Sequence, residues 1–209
     1  MNLVLVDLNT AVVQAWSDIC GDLENVTVRF GSIFDVSCDA LVSPANSFGF
    51  MDGGLDYKIS EFFGWGVQRR LQELIRTRHH GELLVGAAEI VETHHPKIPY
   101  VISAPTMRVP MILRETVNVY LATRAVLLLV KHGTLADGTA VREVAQTVAF
   151  PGMGTGVGRV PPEVCARQMR AAIEDILLDQ YEFPVSWMDA QRRHQRLYTE
   201  RTRDLQFEE

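Results

Sequence analysis

The sequence predicts an α/β fold built on a mainly parallel sheet, and three observations carry the prediction. Apolar runs of strand length alternate with amphipathic helical stretches along most of the chain. Two glycine-rich turns, Asn46-Ser-Phe-Gly-Phe-Met-Asp-Gly-Gly-Leu-Asp56 and Pro151-Gly-Met-Gly-Thr-Gly-Val-Gly158, each follow an apolar run and lead into a helical pattern. With 209 residues, 47% hydrophobic and 22% charged, the chain is long enough to bury one sizeable core.

Leu3 to Val6 reads as a first strand ending at Asp7. Asn9 and Thr10 can then cap a helix to about Ile19, with Val12, Val13, Trp16 and Ile19 on one face and Gly21 as its stop. Val26 to Phe30 is a second strand, and Ala40 to Val42 a third that runs into the first glycine-rich turn. Ile59 to Ile75 reads as one helix burying Phe62, Phe63, Val67, Leu71, Leu74 and Ile75, weakened and bent by Gly64 and Gly66. Leu84 to Val91 and Tyr100 to Ser103 form two further strands joined through His94-His95-Pro96. Thr116 to His132 is a long helix closed by Gly133, and Val144 to Phe150 a buried strand opening into the second turn. Pro161-Pro162 begins a helix to about Leu178, since proline is tolerated in a first turn. One domain over residues 1–183 is expected, followed by a charged tail or surface helix over 184–209 in which Arg192-Arg193 is a solvated face.

Bulk properties narrow the function. A formal net charge of −6 argues against general nucleic-acid binding, which needs a basic face to displace counterions from phosphates. Cys20, Cys38 and Cys165 are odd in number and widely separated, so neither a disulfide framework nor a metal site is indicated, and a reducing compartment is expected. His79-His80 and His94-His95 lack neighbouring ligands at metal spacing and read as surface residues. The sequence calls for no metal, no cofactor and no membrane partner, and a cytoplasmic location is expected.

The turns themselves suggest an anion. Glycines let main-chain N–H groups converge on anionic oxygens with no side chain in the way, and the helix that follows adds its positive end. In the second turn Gly152, Gly154, Gly156 and Gly158 alternate with Met153, Thr155 and Val157, and Thr155 adds a hydroxyl. In the first, Gly53 and Gly54 supply donors while Asn46 and Asp56 add an amide and a carboxylate suited to hydroxyls. Adjacent phosphates and a ribose would use all of these groups. Neither turn is a Walker A loop or a dinucleotide fingerprint. Plainer roles are available: Gly53-Gly54 as a tight turn, Asp56 as a helix N-cap, Asn46 as a turn residue, and Trp65, Phe62 and Phe63 as core. Phe48 and Phe50 lie inside the first turn and could cover a ligand.

The segments Gly31-Ser-Ile33, Asp39-Ala-Leu-Val-Ser-Pro-Ala-Asn46 and Gly53-Gly-Leu-Asp56, followed by Phe150-Pro-Gly-Met-Gly-Thr-Gly-Val157 and Pro161-Pro-Glu, resemble the macro domain family over about Val26 to Leu178. The resemblance implies a three-layer α/β/α sandwich around a mixed, mainly parallel sheet that binds ADP-ribose. Some members also remove ADP-ribose from a substrate. It implies that Ser32 and Ile33 line the base side, Asn46 holds the distal ribose, Gly53 and Gly54 line the first phosphate, and Gly152, Gly154, Thr155, Gly156, Val157 and Gly158 wrap the diphosphate. Asn46 and Asp56 would be the catalytic pair, Asp56 positioning or activating a water.

Four positions differ from the family pattern. Ser32 stands where many members carry an aspartate that accepts the adenine amino group. Gly158 replaces an aromatic residue near the distal ribose and is followed by Arg159, which opens that side or lets Arg159 fold over the phosphates. Ser43 replaces the first asparagine of the strand-end motif, and Asp52 a common glycine. The expected activity is hydrolysis of an ADP-ribosyl linkage, with ADP-ribose or an ADP-ribosylated substrate as partner. The alternatives are a non-catalytic ADP-ribose reader and, from Leu3-Val-Leu-Val-Asp7 as a strand ending in a ribose-binding acid, a Rossmann-like S-adenosylmethionine-dependent transferase.

Overall fold

A computed structural model describes residues 1–203. Six strands, β1 (Asn2–Asp7), β2 (Val26–Phe30), β3 (Ala40–Ser43), β4 (Glu89–Glu92), β5 (Tyr100–Ser103) and β6 (Thr147–Phe150), form one sheet in the order β2-β1-β6-β3-β5-β4. All neighbours are parallel except β4 against β5.

Side chains alternate across this sheet and separate two cores. Leu3, Leu5, Ala40, Val42, Ile102, Val148 and Phe150 face one side, packed with helices α1 (Thr10–Cys20), α4 (Asn118–His132) and α6 (Pro162–Ile176). Val6, Leu41, Val101 and Ala149 face the other, under α2 (Gly54–Phe63) and α3 (Gly66–Arg78). The result is an α/β/α sandwich. Short elements complete it: a 3-10 turn Ile33–Asp35, helix α5 (Val141–Val144), and α7 (Trp187–Arg196), which lies in the expected charged tail. The last residues of that tail, 204–209, lie outside the described residues.

Each layer is fixed by identifiable contacts. Trp16 is wholly buried, and its indole N–H donates to the Met169 sulfur at 3.3 Å, joining α1 to α6. Asp39 closes the base of the sheet, its carboxylate accepting from the Gln146 and Thr147 amides at 2.9 and 2.8 Å. Cys20 and Cys165 are buried in the first core and Cys38 in the second, and burial pushes the thiols of Cys20 and Cys38 up to about 12.

Three expectations are corrected. The single helix over Ile59 to Ile75 is two helices, α2 and α3, broken at Gly64-Trp65. The break turns Phe62 and Trp65 out of the core: they are 42% and 44% exposed, and Phe62 stacks on Phe34 with ring centroids 4.6 Å apart. The strand expected from Leu84 begins only at Glu89, because the Ala87 amide turns back to the Leu84 carbonyl at 3.0 Å. The strand expected from Val144 begins at Thr147, after the short α5.

The order of the strands places the site. From β1 the chain moves outward to β2, then crosses to β3 on the far side of β6. Loops leaving β1 and β3 therefore diverge around the end of β6, which leaves a crevice at the carboxyl ends of the parallel strands.

Candidate functional site

That crevice is a cleft of about 680 Å³. Its walls are the end of β1 (Val6 to Asn9), Gly31 to Phe34, the first glycine-rich loop from Pro44 with the start of α2, and the second loop from Pro151 to Gly158. Ser32, Ile33, Asn46, Gly53, Gly54, Asp56, Gly152, Gly154, Thr155, Gly156, Val157 and Gly158 all line it. Sequence positions 32 and 158 thus face one space.

The second loop is an arc of main chain whose later amides are unspent among the described residues. The amides of Gly154, Thr155, Gly156, Val157 and Gly158 donate to no acceptor among the described residues. Gly154 has a φ of +69°, a conformation that L side chains rarely adopt, and this bend turns the arc. The Val160 amide braces the arc from outside by donating to the Gly154 carbonyl at 3.1 Å, as does the Leu113 amide to the Gly158 carbonyl at 2.8 Å, and within the loop the Thr155 hydroxyl donates to the Gly152 carbonyl at 3.0 Å.

On the opposite wall α2 begins at Gly54, capped by Gly53 with no side-chain bond. The first amides of this helix have no intrahelical acceptors, and the helix dipole puts positive potential at them. Asp56 is therefore not the N-cap. It sits in the first turn, half-buried, and accepts a hydrogen bond from the Ser43 hydroxyl at the end of β3. Burial pushes the Asp56 carboxyl up to about 6; the Ser43 bond acts in the opposite direction, and repulsion from Asp52 adds to the rise.

Asn46 lines the cleft, yet its amide is engaged within its own loop. The carboxamide N–H donates to the Phe50 carbonyl at 2.7 Å, and its oxygen accepts from the Phe48 and Phe50 amides at 3.1 and 3.3 Å. Ser32 accepts from the Phe34 amide at 3.3 Å and starts the 3-10 turn. Phe50, 53% exposed, and Val157, 60% exposed, stand at the mouth, whereas Phe48 turns toward the Arg108 guanidinium. Arg159 is exposed and does not line the cleft, so it does not close over the second loop.

Sequence reasoning missed the structural part of Asp7. Its carboxylate accepts from the Asn9 amide at 2.8 Å and from the Gly152 amide at 2.9 Å, so the acid that suggested a Rossmann-like transferase is a tether for the second loop. Lys58 and Thr106 also line the cleft without having been foreseen; Lys58 pairs with Glu61 at 2.7 Å. His79 is half-buried rather than a free surface residue, bonded to Glu89 at 2.8 Å. Among the described residues no group of histidine, cysteine or acidic side chains could hold a metal ion, and no helix is long and apolar enough to cross a membrane.

Comparisons with known proteins agree with this architecture. The family model of the Macro domain matches residues 42–169, more than half of the chain. An uncharacterized protein from Aquifex aeolicus is 39% identical over 145 residues, covering 69% of this chain and 78% of that protein. Among solved structures, the Oceanobacillus iheyensis macrodomain with ADP superposes with a TM-score of 0.57 at 22% identity, over 71% of this chain and 74% of that one. The macrodomain of Mycobacterium tuberculosis DarG superposes with a TM-score of 0.56 at 16% identity, over 69% and 87% of the two chains. These two likenesses concern the fold.

Proposed function

The chain belongs to the macro domain family, and from that premise we propose that its cleft binds ADP-ribose and hydrolyses an ADP-ribosyl linkage. One observation carries the reading: five second-loop residues whose amides have no acceptor among the described residues, and the first residues of α2, line the same cleft, with Asp56 on its wall. Two sets of amide donors suit a pyrophosphate. Asp56 serves as general base. A water oxygen attacks the anomeric carbon and gives its proton to the carboxylate, while the bond to the leaving atom breaks and its electron pair goes with that atom, which then takes the proton from the Asp56 carboxyl and regenerates the carboxylate. A carboxyl near 6 is mostly ionised at neutral pH yet basic enough to take that proton.

Asn46 is assigned chiefly to the loop: its amide shapes the turn that carries Gly53 and Gly54. The same engagement favours a second reading, a module that binds ADP-ribose without chemistry. The experiment is a calorimetric titration with ADP-ribose, ADP, AMP and a guanosine analogue, followed by turnover of an ADP-ribosylated substrate by the wild type and by Asp56→Ala. Binding with turnover lost in the variant supports the hydrolase; binding without turnover leaves the reader. Absence of ADP-ribose binding removes both.

A further inference from the structure

Ser43 stands outside the chemistry just described, yet it touches its central group. The side chain is wholly buried at the end of β3, and its hydroxyl donates to Oδ1 of Asp56 in the first turn of α2. The two residues are 13 positions apart and belong to different elements, so the bond ties the carboxylate to the sheet rather than to its own helix. Oδ2 makes no hydrogen bond among the described residues. We propose that Ser43 is a positioning residue for Asp56, holding Oδ1 so that Oδ2 is presented to the cleft in one orientation. This inference rests on the hydrolase reading.

A buried hydroxyl is suited to the task because it is neutral and brings one rotatable donor, and a donor to a carboxylate oxygen favours the ionised form. The other charged groups facing this cleft are Asp52 of the first loop, Lys58 of α2 with its Glu61 partner, and Asp7 of β1, which the Asn9 and Gly152 amides hold. Of these only Asp52 contributes to the Asp56 shift, and it repels. Ser43 is thus the group that opposes burial at this carboxylate.

The sheet supplies a built-in control. Ser103 pairs with Ser43 in register across β3 and β5, points to the same face, and is equally buried, but its hydroxyl has no partner among the described residues. Ser43→Ala, Ser43→Thr and Ser103→Ala are compared in the full chain by kcat and KM from about pH 5 to 9 and by NMR titration of the Asp56 carboxyl carbon. For Ser43→Ala the acid limb and the Asp56 titration move up by roughly one pH unit, and kcat near neutrality falls about tenfold. Its Kd for ADP-ribose stays within about twofold of the wild type. Ser43→Thr restores the profile, and Ser103→Ala leaves the acid limb where it was. If Ser43→Ala does not fold, Ser43→Cys, with a weaker donor, carries the same expectation. Turnover by the wild type with an unmoved acid limb in the variant overturns this inference alone, whereas binding without turnover in the wild type overturns the hydrolase reading and this inference together.

Discussion

The carboxylate of Asp7 and the amide of Gly152 meet at 2.9 Å across 145 residues of chain, joining the end of β1 to the first turn of the loop after β6. The bond fixes where the arc of free amides begins. β1 and β6 are hydrogen-bonded neighbours, so the tether adds no long reach; it converts strand pairing into loop position.

Asp7→Ala should therefore loosen the second loop more than it destabilises the fold. A loss of about 1–2 kcal/mol in folding stability is expected from one charge-assisted bond. The Kd for ADP-ribose should rise roughly tenfold, equivalent to about 1.4 kcal/mol. Thermal melts and calorimetry on the same sample separate the two effects.

Gly53 and Gly158 should respond differently to alanine. A Cβ at Gly53 would meet nothing within 4 Å, so Gly53→Ala keeps the fold and places a methyl in the cleft. Affinity falls while stability changes by less than about 1 kcal/mol. At Gly158 a Cβ would lie 2.5 Å from the Gly154 carbonyl oxygen and 3.0 Å from a Leu113 methyl. The main chain must shift there, so Gly158→Ala should lose about 1–3 kcal/mol of stability as well as affinity.

Asp56→Asn should bind ADP-ribose and turn over at least about a hundredfold more slowly, the size of effect general-base removal brings. Stability provides an independent check. The folded carboxyl, near 6, lies above the unfolded one, so the folded state holds the proton more tightly. That contribution is fully present below about pH 4 and is lost as pH rises through about 6. Asp56→Asn should accordingly be more stable than the wild type at pH 8, by about 1–2 kcal/mol after allowing for partial solvent access, with the gap closing toward pH 4. Equal stability at both pH values would count against a raised carboxyl.

Trp16→Ala should be among the most damaging changes. It empties a large buried volume between α1 and α6 and abolishes the bond to Met169, an expected loss of about 3–5 kcal/mol by urea or thermal unfolding.

Much of this was legible in the sequence. The bounds of β2 and β5 coincide with the expected strands Val26 to Phe30 and Tyr100 to Ser103, β2 as a largely exposed edge strand and β5 as a buried strand between parallel β3 and antiparallel β4. Both glycine-rich loops were legible because they are features of main-chain shape, which glycine spacing reports directly. The partnerships of Asp7 with Gly152 and Ser43 with Asp56 were not, since they depend on strand order rather than on any local pattern. The aromatic faces of Phe62 and Trp65 were misjudged for a related reason: a continuous helix and two helices broken at Gly64 have the same apolar residues but different faces.

The burial of all three thiols, two on one side of the sheet and one on the other, makes the molecule its own stopwatch. A thiol reagent finds no reactive target until a layer opens, so alkylation of Cys38 clocks the opening of the α2–α3 side and alkylation of Cys20 and Cys165 that of the opposite side. Mass-resolved labelling with and without nucleotide would then reveal which half a bound ligand clamps shut.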